Sequence, residues 1–153
     1  MNKLKILIAL LLCAATTIAF AQNNEEEAIK KTINQLFDGM RKSDSTLVRT
    51  AFNQGAILQT IGKTKEGTAV VRSTDLTAFI ASIAKPHPEI YDERIVFTKI
   101  LIDANLASVW TDYKFYIGDK FSHCGVNSFQ LVKAGDAWKI TYLIDTRRKD
   151  NCN

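Results

Sequence analysis

Proline, glycine, cysteine and histidine are all scarce: the 153 residues hold two, seven, three and two of them, respectively. So few prolines and glycines exclude a collagen-like fibre and a low-complexity chain. A composition 46% hydrophobic and 24% charged excludes a disordered tail and a multi-span membrane protein. No internal repeat or linker divides the chain, and its length allows one domain. It also lacks the G-x-S-x-G, Walker and dinucleotide-binding fingerprints, so those catalytic classes have no support.

The one long apolar run stands at the start. Lys3 and Lys5 precede the apolar stretch 6–15, and Ala19-Phe20-Ala21 supplies the small-x-small pattern that a signal peptidase reads. This predicts an export signal over 1–21 and a single domain over 22–153. The run is too short for a spanning helix, and Leu12 before Cys13 departs from a lipobox, so no stable membrane anchor is expected. Loss of the two lysines leaves 18 basic against 16 acidic residues, a net charge of +2. Such a balance, with Arg147-Arg148-Lys149 as the only basic run, makes no nucleic-acid footprint.

Cys124 and Cys152 remain after the leader. An even count in an exported chain suggests one disulfide, which would pin the C-terminal tail to the sheet. A free pair is the alternative. Without C-x-x-C spacing and with one nearby histidine, the two cysteines make a poor zinc motif, so no metal is expected.

Helical periodicity comes first and strand periodicity later, an α+β order. Ile29, Ile33, Leu36, Phe37 and Met40 form an apolar stripe, with Asn24 and Glu27 as a capping box. Ser43-Asp44-Ser45 restarts the chain into a short helix, and Ser73-Thr74-Asp75 caps a third, which Pro86-His87-Pro88 stops. Two short strands are expected at 56–61 and 67–72. Four long ones follow at 93–102, 105–117, 120–133 and 137–148, in a curved antiparallel sheet wrapped around three helices.

Two-residue turns at Gly118-Asp119 and Ala134-Gly135 fix a register in which side chains alternate between faces. On that register Trp110, Asp112, His123, Asn127, Phe129 and Tyr142 share one concave, aromatic-lined face with Leu131, Trp138 and Ile140. The opposite face, holding Val109, Thr111, Tyr113, Phe115, Asp145 and Arg147, is expected to be convex. Asp112, His123 and Asn127 are polar groups in an aromatic lining and suggest a pocket. Asp112 and His123 stand diagonally across the strands, where a carboxylate could hold an imidazole's tautomer as an acid–base pair.

The element order, the amphipathic first helix and the closing Asp136-Ala137-Trp138-Lys139-Ile140 strand resemble the nuclear transport factor 2-like superfamily. That group shares its cone-shaped fold with ketosteroid isomerase and SnoaL-like cyclases. Trp110-Thr111-Asp112-Tyr113, His123-Cys124-Gly125 and Asp145-Thr146-Arg147-Arg148 resemble more narrowly the secreted bacterial members labelled "putative lumazine-binding". Helix one has Phe37 where ketosteroid isomerase has a catalytic tyrosine, so that oxyanion donor is missing.

The resemblance implies a bacterial periplasmic or extracellular protein binding a small aromatic or heterocyclic ligand without a cofactor. Trp110, Phe129 and Tyr142 would give stacking surface, and Asp112, His123 and Asn127 orientation. The alternatives are an isomerase, cyclase or dehydratase using His123 with Asp112, and an interaction or homodimerisation module with a filled cone.

Overall fold

The computed structural model describes residues 24–86 and 88–152. The expected leader over 1–21 lies outside them, as does His87. Helix α1 spans 24–41, α2 Ser45–Ala51 and α3 Leu76–Ala84. Asp44 and Asp75 cap the latter two, accepting from the backbone N–H of Leu47 and Ala78, which satisfies donors that a helix start leaves unpaired. No described helix is long and apolar enough to cross a membrane.

The strands are β1 Phe52–Lys63, β2 Ala69–Thr74, β3 Tyr91–Asp103, β4 Leu106–Ile117, β5 Lys120–Ala134 and β6 Ala137–Thr146. They form one sheet in the order β2-β1-β6-β5-β4-β3. Every pair is antiparallel except β1 with β6, which is parallel, so the sheet is mixed. It curves around the helices without closing. Against it lies the stripe of α1, where Ile29, Ile33, Leu36 and Phe37 are buried together with Phe129, Leu131, Trp138 and Ile140. The Glu25 carboxylate ties the start of α1 to the last hairpin, accepting from Lys133 Nζ at 2.5 Å and Trp138 Nε1 at 2.7 Å.

Strands of 12 to 15 residues cannot wrap a core while staying regular, and bulges supply the bend. Thr98, Ser122 and Thr141 are each left without an opposite residue where the register shifts. The last hairpin also turns at Gly135-Asp136, because Ala134 pairs with Ala137. These bulges overturn the expected common face.

The Ser122 bulge sits two residues inside the correctly placed Gly118-Asp119 turn. Beyond it Thr111, not Trp110, lies opposite Asn127. Ala107, Val109, Thr111 and Tyr113 therefore face the core, while Trp110 and Asp112 are exposed. The Thr141 bulge likewise puts Tyr142 opposite Gln130 and turns Leu143 and Asp145 inward. Phe129, Leu131, Trp138 and Ile140 stay inside as expected, since the displaced turn moves their pairing by an even step.

Past β6, Arg148 returns to the sheet through two 2.9 Å backbone hydrogen bonds with Cys124. Cys124 and Cys152 are joined in a disulfide with their Cα atoms 5.8 Å apart. Closing a loop of sequence separation 28 stabilises by roughly 3–4 kcal/mol on the chain-entropy model. The expected pairing is present, and it fixes the tail to β5.

Candidate functional site

Between α1, α3 and the inner face of the sheet lies a cavity of about 110 Å³. Leu36, Phe37 and Met40 of α1, Phe79 of α3, and Leu58 and Leu143 of the sheet make its apolar side. Thr60, Glu93, Asn127, Asp145 and Arg147 make its polar side. Apolar walls with a few converging polar groups are the usual make-up of a small-molecule site.

The polar groups form two linked sets. Asn127 Nδ2 donates to Glu93 Oε1 at 2.8 Å and more weakly to Thr111 Oγ1 at 3.4 Å. Asp145 accepts from Thr60 Oγ1 at 2.5 Å, Tyr113 Oη at 3.2 Å and Arg147 Nε at 2.9 Å. Tyr113 Oη also donates to the Thr146 carbonyl at 2.8 Å. No buried polar side-chain atom among the described residues lacks a partner. Satisfied networks of this kind hold their members in one geometry, which preorganises a polar wall.

Burial pushes the Glu93 carboxyl up to about 7; the Asn127 hydrogen bond opposes this and the Asp145 charge adds to it. The Tyr113 hydroxyl is raised far beyond its ordinary range, first by burial and then by Asp145 and Glu93. Glu93 therefore exists near neutrality as both acid and carboxylate, able to donate or accept.

That shift carries a stability consequence. A carboxyl raised from 4.5 to about 7 on folding contributes stability that is fully present below pH 4.5 and lost as pH rises through 7. Urea unfolding should therefore show Glu93→Gln gaining about 1–3 kcal/mol on the native protein between pH 5 and pH 8. The figure is discounted because Glu93 is only partly buried. An identical pH dependence in both proteins would refute it.

The six sequence-predicted residues divide. Asn127 and Phe129 are buried inside the cone, and Asn127 lines the cavity. His123 is half-buried further along the same side of β5, its ring centroid 5.0 Å from that of Phe115 and 5.7 Å from that of Tyr113. Burial lowers its pKa, with Arg147 adding to the effect. Trp110 and Asp112 are exposed on the outer face, and Tyr142 also points outward, donating to Gln59 Oε1 at 2.7 Å.

The Asp112–His123 pair is consequently not assembled. Asp112 lies opposite Val126, and the His123 Nδ1 contact is Ser122 Oγ at 3.0 Å. Sequence reasoning missed Glu93, Asp145, Arg147 and Thr60. A signal for Glu93 existed: it sits in phase with Tyr91, Ile95 and Phe97, a carboxylate on an apolar face. Among the described residues no group of three or more His, Cys, Asp or Glu side chains could hold a metal ion.

Comparison with solved structures gives the same fold at low identity. A nuclear transport factor 2-like protein of unknown function from Shewanella baltica OS155 superposes with a TM-score of 0.64 at 18% identity, over 83% of this chain and 96% of that one. One with a cystatin-like fold from Novosphingobium aromaticivorans reaches 0.69 at 8% identity, over 88% and 89%. A protein of unknown function from Mycobacterium tuberculosis reaches 0.64 at 15% identity, over 85% and 75%. A comparison with curated proteins gave no match. The family model described as "Putative lumazine-binding" matches residues 24–142. The chain therefore belongs to that family, and it shares the fold of nuclear transport factor 2-like proteins.

Proposed function

We propose that this chain is an exported protein, periplasmic or extracellular, that holds a small planar organic ligand in its cone without a cofactor. The observation that carries this reading is the two-sided cavity, with Phe37, Met40 and Phe79 opposite the Glu93–Asn127 and Asp145–Arg147 pairs. A ring would slot against the apolar side and turn a polar edge to Glu93, which donates or accepts according to its protonation. Membership of the "Putative lumazine-binding" family supports a small organic ligand. The disulfide supports an oxidising compartment.

Size restricts how the ligand enters. A cavity of about 110 Å³ is smaller than the ~150 Å³ cavity that takes up benzene. A bicyclic ring enters only if a lining side chain such as Met40 or Phe79 swings aside. Lumazine is fluorescent, and titration with it tests the reading directly. Asn127→Ala should weaken binding by about 1–3 kcal/mol by leaving buried groups unpaired, and Asp112→Ala on the outer face should leave it unchanged. Absence of saturable lumazine binding, together with no small molecule retained in native mass spectra, would sink the proposal.

A homodimer is the second reading, and one surface favours it. Val96, Leu101, Leu106 and Trp110 are 64%, 56%, 50% and 48% exposed on the outer face of β3 and β4, an apolar cluster of a kind that marks interaction sites. Sedimentation should give a dimer that Trp110→Glu converts to monomer. A monomeric native protein would end this reading.

A further inference from the structure

A second compartment of about 500 Å³ opens at the far end of β3, β4 and β5. It shares Arg147 with the cone cavity but has a different chemistry. Its floor is aromatic: the Tyr91 and Phe115 ring centroids are 5.9 Å apart, and those of Phe115 and His123 5.0 Å. Its rim is basic, formed by Arg147, Arg148 and Lys149, and no acidic side chain among the described residues lines it. Asp145 is engaged by Arg147 from the cone side, and Glu89 lines an adjoining depression instead.

The rim is held in place. Backbone hydrogen bonds join Arg148 to Cys124, and the Cys124–Cys152 disulfide closes the segment three residues past Lys149. Arg148 Nε also donates to the Asn151 carbonyl at 3.3 Å. A rim whose backbone is pinned in this way loses less entropy when a ligand arrives, which favours binding. Guanidinium and ammonium groups recognise oxyanions by charge-assisted hydrogen bonds, and rings add stacking area. Burial and then Arg147 lower the pKa of His123, which favours the neutral imidazole.

We propose that this compartment binds an aromatic ring carrying an oxyanion, a carboxylate or a phosphate. The ring lies against Phe115 and His123 and the oxyanion is held by Arg148 and Lys149. The site adjoins the cone cavity at Arg147 but does not need that cavity to be occupied.

Calorimetry on the oxidised exported chain tests it with phenyl phosphate and benzoate as probes, and inorganic phosphate and phenol as references. At least one aromatic anion should bind about tenfold more tightly than either reference, and Arg148→Glu with Lys149→Glu should weaken it by about tenfold or more. Preference for phenyl phosphate identifies a phosphate headgroup, and preference for benzoate a carboxylate. Reducing the disulfide should weaken the same probe by releasing the rim. Glu93→Gln should leave it unaffected, which separates this site from the lumazine titration. If neither probe outbinds inorganic phosphate, or if the doubly substituted protein keeps full affinity, the proposal is overturned.

Discussion

Alanine at position 125 should be among the most damaging single substitutions in this protein, costing about 3 kcal/mol or more. A Cβ built on Gly125 would lie 1.8 Å from the Thr146 carbonyl oxygen and 2.7 Å from Tyr113 Cε1. The first neighbour is backbone and cannot step aside without shifting the end of β6. That end carries Asp145, which meets Thr60, Tyr113 and Arg147 on the cavity wall. Overpacking of this kind costs about 1–3 kcal/mol in ordinary cores, and disturbing a buried hydrogen-bonded network adds to it. Denaturant unfolding of Gly125→Ala should therefore show a sharply lowered midpoint. A loss under about 1 kcal/mol would mean that β6 moves freely there.

Phe129→Ala should cost about 3–5 kcal/mol, the usual range for truncating a buried phenylalanine. Phe129 is fully buried and meets the Phe37 ring edge-on at a centroid distance of 6.3 Å. Its removal would leave a void between α1 and the sheet, where α1 cannot settle without breaking the Glu25 contacts to Lys133 and Trp138. Thermal unfolding should show a large drop in Tm with the fold retained. Phe121→Ala, exposed at the sheet's far end, serves as the control and should change little. Equal effects of the two substitutions would contradict the placement of the core.

The sequence alone determined the helices, the Ser43-Asp44-Ser45 and Ser73-Thr74-Asp75 segments that start the last two, the two-residue Gly118-Asp119 turn and the inward placement of Asn127, Phe129, Leu131, Trp138 and Ile140. These are local or single-strand properties, because capping, turn chemistry and helical periodicity are written over a few neighbouring residues. The resemblance carried the fold class, and the disulfide followed from cysteine arithmetic.

Which residues of neighbouring strands share a face was decided only by tertiary structure. Wrapping the sheet around α1 requires bulges, and each bulge reverses the alternation beyond it. Ser122 and Thr141 carry no local mark of that role, so a register counted from the turns puts Trp110, Asp112 and Tyr142 on the wrong side. β4 did hold a warning: Ala107, Val109, Thr111, Tyr113 and Phe115 suit burial better than Ser108, Asp112 and Lys114 do. The site itself, Glu93 against Asn127 and Asp145 against Arg147, joins three strands across three register shifts. No pattern within one strand could have assembled it.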